Sequence, residues 1–196
     1  MARRGGATSG QIRIIGGDWR GRKLRFRAAP GLRPTPDRVR ETLFNWLGEH
    51  VIEAHCLDLF AGSGALGLEA LSRGAARCSF VDSHEGSIAA IREHLATLAC
   101  DRAECHRRDA IELLQGGGAD TGFDLVFLDP PFQAGLLEPA ASALEGNAWL
   151  ADEALVYIES GTREPEPTLP ANWTLHRDKS AGEVRYRLFV RHAQFD

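Results

Sequence analysis

The strongest constraint on the fold is a change of rhythm near residue 56. From there, short apolar runs alternate with helical patterns. Cys56–Phe60, Arg77–Asp82, Glu104–Arg108, Phe123–Leu128 and Ala154–Ser160 read as strands, with Ala65–Ser72, Glu85–Leu98, Ala110–Leu114 and Leu136–Leu144 as helices between them. Near-continuous apolar strands separated by helices predict an α/β fold, a mostly parallel twisted sheet covered on both faces. The end of the sequence breaks the alternation. Trp173–Lys179 and Val184–Arg191 flank Ser180-Ala181-Gly182, the pattern of an antiparallel hairpin. No linker or internal repeat divides residues 50–196.

Ahead of this block the character differs. Residues 1–10, rich in Gly, Ser, Thr and Arg, are expected to form a flexible tail. Residues 11–34 are expected to form a small basic β-hairpin extension: Ile12, Ile14 and Ile15 precede a Gly16-Gly17-Asp18 turn, and Leu24 and Phe26 follow it. Its basic residues are Arg13, Arg20, Arg22, Lys23, Arg25 and Arg27, with Trp19 among them. Thr35 then reads as a helix N-cap and Pro36 as the first helical residue. Val39, Thr42, Leu43, Trp46 and Leu47 share one stripe of that helix, which leaves Arg38, Glu41 and Asn45 for a cleft or water. Residues 35–196 make the main domain on this reading.

Net charge is −4, which alone argues against a nucleic-acid partner. Its distribution argues the other way. Residues 1–40 hold 11 of the 23 Lys+Arg and 2 of the 27 Asp+Glu, and the rest hold 12 and 25. A basic element joined to an acidic domain is suited to meeting a polyanion. Cys56, Cys78, Cys100 and Cys105 show no Cys-x-x-Cys spacing, so they read as small apolar residues kept reduced, and no metal is expected. No apolar run is long enough to span a bilayer, and the first residues lack a secretory pattern, so a cytoplasmic location is expected.

Leu57-Asp58-Leu59-Phe60-Ala61-Gly62-Ser63-Gly64-Ala65-Leu66-Gly67 closes a strand and opens a helix. Gly62, Gly64 and Gly67 have the G-x-G-x-x-G spacing of a nucleotide-binding turn. Alone that motif is weak. Asp82, Asp109 and Asp129 sharpen it, because they close the next three strands, and strand carboxyl ends form the ligand crevice of such a sheet. A carboxylate after the second strand suits ribose hydroxyls, and one after the third suits an adenine amino group. A nicotinamide cofactor would fit the same turn. Against it stand Asp58, acidic where dehydrogenase strands are usually apolar, and the lack of room for a substrate domain.

The most informative stretch is Asp129-Pro130-Pro131-Phe132, directly after the most apolar strand. Two prolines stiffen the loop into a rim bearing a carboxylate, free carbonyls and an aromatic face. Methylation of an aryl-type amine needs such a rim. The amine lone pair is delocalised into its ring, so acceptors for both N–H groups are needed to pyramidalise the nitrogen. Asp129 and the Pro130 carbonyl suit that role, and Phe132 suits stacking on an extruded base. In-line displacement by positioning and electrostatics then requires neither metal nor covalent enzyme intermediate. The same rim serves guanine N2 and adenine N6.

Phe60-Ala61-Gly62-Ser63-Gly64, Asp82, Asp109 and the Asp129–Phe132 segment resemble motifs of class I, Rossmann-like methyltransferases acting on exocyclic amines. Beyond them, Arg13-Ile14-Ile15-Gly16-Gly17, Trp19–Leu24, Arg33-Pro34-Thr35, Arg38–Leu47 and Trp149–Leu155 resemble the RsmD family over nearly the whole chain. One departure is Asp82, where that family often carries glutamate. The resemblance implies a sheet with a reversed C-terminal strand beside the fifth. It implies S-adenosylmethionine as cofactor, held by Asp58, Phe60, Ala61, Gly62, Ser63, Gly64, Asp82 and Asp109. Catalysis would use Asp129, Pro130, Pro131 and Phe132. Guanine N2 in 16S ribosomal RNA would be the target, with the small subunit or a late assembly intermediate as substrate. The enzyme is expected to be a monomer. Arg13, Arg20, Arg22, Lys23, Arg25, Arg33 and Arg38 would contact RNA. A DNA adenine-N6 methyltransferase and a non-catalytic RNA-binding assembly factor are the competing readings. The first usually needs a recognition domain, and the second would not need Asp129–Phe132 intact.

Overall fold

The computed structural model describes residues 9–27, 35–118 and 121–193. Its N-terminal part is a two-stranded antiparallel ribbon, β1 (Ser9–Arg13) and β2 (Lys23–Arg27). Helix α1 (Asp37–Leu47) follows, then β3 (His55–Asp58), α2 (Ala65–Ser72), β4 (Arg77–Asp82), α3 (Glu85–Thr97), β5 (Ala103–Arg107), α4 (Ala110–Gln115), β6 (Phe123–Leu128), α5 (Leu137–Gly146), β7 (Leu150–Gly161), β8 (Trp173–Ala181) and β9 (Val184–Arg191). The large sheet has the order β5-β4-β3-β6-β7-β9-β8. β5 to β7 run parallel, and β9 enters antiparallel beside β7 with β8 outside it. This is the α/β sheet with a reversed late strand that the sequence predicts. α2, β4 and β6 match their predicted bounds residue for residue.

Side-chain alternation divides the core in two. Cys56, Phe80, Leu125, Phe127, Tyr157 and Leu188 pack on one sheet face under α1, α2, α3 and the ribbon. Leu57, Val81, Val126, Leu128, Val156 and Ile158 pack on the other under α4 and α5. Every residue of α2 is buried, the polar Glu69 and Ser72 included, because sheet, α1 and ribbon enclose the helix.

The ribbon is fastened, not merely tethered. Ile12, Ile14, Leu24 and Phe26 are buried, while Arg13, Arg20, Arg22, Lys23 and Arg25 point to solvent. Beneath its turn lies Glu69 of α2, fully buried, accepting from the Ile15 and Gly16 N–H groups at 2.9 and 2.8 Å. Glu69 also accepts from Arg40 at 3.2 Å and Arg73 at 2.8 Å. Arg40, buried on α1, donates in addition to the Arg13 carbonyl at 2.8 Å and to Asp37 at 2.7 Å.

One local expectation is corrected. Thr35 does not cap α1: Pro36 is the N-cap residue, no side chain caps it, and the helix begins at Asp37. The Val39 and Arg40 N–H groups donate to the Pro36 carbonyl at 2.9 and 3.0 Å. The Thr35 hydroxyl is turned away from the helix end and lies against two carboxyl groups, Glu159 and Asp129.

Candidate active site

The parallel strands end together, and their last residues form the site. Asp58 closes β3, Asp82 closes β4, Asp109 lies two residues beyond β5, and Asp129 follows β6 directly. Leu128 pairs with Ile158, so Asp129 comes level with Glu159 on β7. By the two-residue alternation of Cys56 with Asp58, Phe127 with Asp129, and Tyr157 with Glu159, these three carboxyls share the α1 side of the sheet.

Between β3 and α2 the chain turns through the glycine loop. Gly64, the N-cap of α2, is left-handed at φ 77°, a conformation that side chains resist. At Gly67 an added Cβ would lie 2.3 Å from the Phe80 ring, so the third glycine is what lets α2 close against β4. The loop is tied from both sides. Asp58 accepts from the Gly67 N–H at 3.0 Å. Asp82 accepts from Gly62 at 2.8 Å through one oxygen and from His84 at 2.7 Å through the other. Each Asp82 oxygen keeps a second lone pair, the pair of acceptors that the two hydroxyls of a vicinal diol require. Phe60 is half-buried beside it, and Ala61 and Ser63 are buried.

Asp109 does two things at once. One oxygen caps α4 by accepting from Ile111 and Glu112 at 2.8 and 3.0 Å, and the carboxylate stays exposed at the carboxyl end of β5.

On the rim, Pro130 is buried, while Pro131 and Phe132 are exposed, Phe132 by 41%. The Pro131 carbonyl closes a turn with the Ala134 N–H at 3.2 Å. The Gln133 N–H donates to Glu164, which fixes the far side of the rim. Among the described residues the Pro130 carbonyl has no hydrogen-bond donor.

Below the rim lies a group of residues the sequence reading did not assemble. The Thr35 hydroxyl is 2.8 Å from Glu159 Oε1 and 3.3 Å from Asp129 Oδ2. The Tyr157 hydroxyl donates to the same Glu159 oxygen at 2.8 Å. Burial raises the proton affinity of Asp129 well above the carboxylate norm, and the Glu159 and Asp58 charges add to it. Glu159 is raised too, chiefly by burial, against the pull of its two hydroxyl donors. Burial also pushes Asp58 up to about 7, opposed by the Gly67 N–H and helped by Asp82 and Glu159. The ion pairs of the described residues run elsewhere, through Arg40, Arg73, Arg107, Arg185, Arg187 and Arg191. Glu159 left a signal in the sequence: an acid next to the Val156-Tyr157-Ile158 run of a core strand.

Of the predicted RNA contacts, Arg13, Arg20, Arg22, Lys23, Arg25 and Arg38 are exposed. The first five share the ribbon, and Arg38 is separate on α1; Arg33 falls outside the described residues. Clefts of about 650 and 430 Å³ lie at the opposite, amino ends of the strands, near Arg102 and Phe123 and near His50 and Asp124. Neither contains a predicted site residue.

Known proteins resemble this chain in sequence and fold. The family model described as conserved hypothetical protein 95 matches residues 12–190. Ribosomal RNA small subunit methyltransferase D of Escherichia coli K12 is 55% identical over 186 residues, covering 95% of this chain and 93% of that protein. The protein of the same name from Haemophilus influenzae is 46% identical over 184 residues, covering 93% and 95%. A solved Escherichia coli structure, 56% identical, superposes with a TM-score of 0.85 over 94% of this chain and all of that one (100%). With that identity along nearly its whole length and the same reversed-strand sheet, the chain belongs to the RsmD family and has its class I methyltransferase fold.

Proposed function

We propose that this protein is an S-adenosylmethionine-dependent methyltransferase of small-subunit ribosomal RNA, and that its target is the exocyclic N2 of a guanine in 16S RNA. The observation that carries the reading is the meeting of Asp129 and the free Pro130 carbonyl with the glycine loop at one end of the sheet. Support for ribosomal RNA comes from the names of the relatives.

The residues present fit the cofactor. Three buried or half-buried carboxyls with no cation in contact among the described residues, Asp58, Asp129 and Glu159, make a crevice that favours a positively charged ligand. S-adenosylmethionine, when bound, supplies an electrophilic methyl group on a cationic sulfonium. Asp82 holds the ribose hydroxyls, Asp109 accepts from the adenine amino group, and the Phe60–Gly64 loop lets the ligand approach main-chain N–H groups. Asp58 acts from below, through the Gly67 N–H and its charge. Asp129 and the Pro130 carbonyl accept the two N–H groups of the base amine and turn its lone pair toward the methyl carbon. Pro131 keeps the rim stiff and Phe132 stacks on the base. Arg13, Arg20, Arg22, Lys23 and Arg25 of the ribbon, with Arg33 and Arg38, grip phosphates, which fixes register without reading sequence. A cytoplasmic monomer acting on small subunits or a late assembly intermediate completes the reading.

Tritiated S-adenosylmethionine incubated with undermethylated small subunits, followed by digestion to nucleosides, tests it. Label in N2-methylguanosine is expected. Label in N6-methyladenosine would assign the rim to adenine.

A further inference from the structure

Glu159 is too deeply buried, at 3% exposure, to touch a substrate, yet it lies one hydroxyl away from the residue that does. A carboxyl at the end of an apolar strand is costly to bury, and this one is served by two hydroxyl donors on a single oxygen. Thr35 has one proton to give. Its shorter contact is to Glu159, at 2.8 Å against 3.3 Å to Asp129, so Glu159 takes that proton and the hydroxyl oxygen faces Asp129 Oδ2, from which it accepts when that carboxyl carries a proton.

Resting on the methyltransferase reading above, we propose that Thr35 and Glu159 are positioning residues for the transfer: the hydroxyl they share orients the Asp129 carboxyl, engaging Oδ2 and leaving Oδ1 for the substrate amine. Tyr157 completes the set by holding Glu159 Oε1 from the same strand. Thr35 is itself held in place, since the buried Arg40 Nε donates to its carbonyl at 3.3 Å. The catalytic carboxyl is thereby reached from the ribbon through Glu69, Arg40 and Thr35.

The electrostatics agree with the geometry. Facing the Asp129–Glu159 pair are Asp58 from β3, Tyr157 on the same strand, and Tyr186, which pairs with Glu159 across β9. Arg187 pairs with Ile158 and so lies on the other sheet face, where it meets Glu166 and Ser160. Glu159 therefore raises the proton affinity of Asp129 with no cation beside it among the described residues to cancel the effect, which makes Asp129 a better acceptor for an amine N–H.

Thr35→Val keeps the shape and removes the hydroxyl. Its single-turnover transfer rate to undermethylated small subunits should fall on the order of 10²-fold, the scale of a misplaced catalytic group. Thr35→Ser should recover most of the loss, and equilibrium dialysis should show S-adenosylmethionine affinity unchanged in both. Carboxyl-carbon NMR of the cofactor-free protein gives a readout independent of turnover. In Glu159→Gln the Asp129 titration midpoint should move to lower pH, and the acid limb of the pH–rate profile should move the same way. Should Glu159→Gln not fold, the Thr35 pair decides alone. Wild-type rate in Thr35→Val, or an unmoved Asp129 midpoint in folded Glu159→Gln, overturns the assignment. Either result alongside an inactive Asp129→Ala leaves the methyltransferase reading standing, whereas an active Asp129→Ala overturns that reading first.

Discussion

Two carboxylate clusters are buried on the same side of the sheet, and they are built on opposite plans. Glu69 is fully buried but satisfied within the protein, by two backbone N–H groups and two arginines. Asp58, Asp129 and Glu159 receive N–H and O–H donors but, among the described residues, no arginine or lysine in contact. Charge neutralised by the chain itself makes a joint, and the Glu69 joint locks ribbon, α1 and α2 into one body. Carboxyls with no described counter-ion are open to a ligand, as the proposed receptor requires. Burial alone does not separate a structural carboxylate from a candidate functional one; burial without a counter-ion among the described residues does.

The largest expected effect breaks the contrast at the receptor. Asp129→Ala should cut transfer on the order of 10²–10⁴-fold while sparing S-adenosylmethionine affinity, as single-turnover kinetics and dialysis would show. Equal losses in rate and cofactor binding would make Asp129 part of the cofactor bed instead.

At the joint, the effect should fall on stability. Glu69→Gln strips the buried Arg40 of its fully buried partner and should cost about 3–5 kcal/mol in urea unfolding. A variant as stable as wild type would show that the two clusters do not differ in kind.

Asp58 sharpens the comparison through pH. With its carboxyl raised to about 7 in the folded protein, the native state binds more protons than the unfolded chain above the ordinary carboxylate range. Stability contributed by that proton is present at low pH and lost as pH rises through about 4 to 7, on the order of 2–4 kcal/mol in all. Asp58→Asn, which can still accept from the Gly67 N–H, should lack this loss. Parallel pH–stability curves for the two proteins would remove Asp58 from the receptor.

The smallest effect concerns the ribbon as a carrier of charge. Replacing Arg20, Arg22 and Lys23 with Ala should weaken RNA binding and flatten the slope of log affinity against log salt by about 2, at roughly 0.7 per single-strand phosphate contact. An unchanged slope would assign the grip to other residues.

Much of the sheet was legible because its strands are apolar runs closed by single acids, and because Gly67 and the paired prolines punctuate them. Asp58, Asp82, Asp109 and Asp129 could be placed at one edge from topology alone. Thr35 could not, since a Thr before Pro-Asp looks like a cap, and only the tertiary fold brings two carboxyls to its hydroxyl. Arg40 and Glu69 were hidden for a related reason. A charge on a helix reads as surface unless its partner, 29 residues away here, is known. Glu159 was visible as a polar residue beside a core run, but its meaning depended on the register of β7 with β6.

The position of β9 has a consequence for biosynthesis. Residues 184–191 are threaded between two strands that precede them, so a nascent chain that has emerged only to the end of β7 presents that strand as a bare edge. Tyr157 and Glu159 lie on it. The candidate catalytic corner therefore cannot be walled in until residues 184–191 have followed, and exposed edges of that kind invite pairing with other chains. Stalling or truncation between residues 161 and 184 should yield a sticky, inactive product rather than a weakened enzyme.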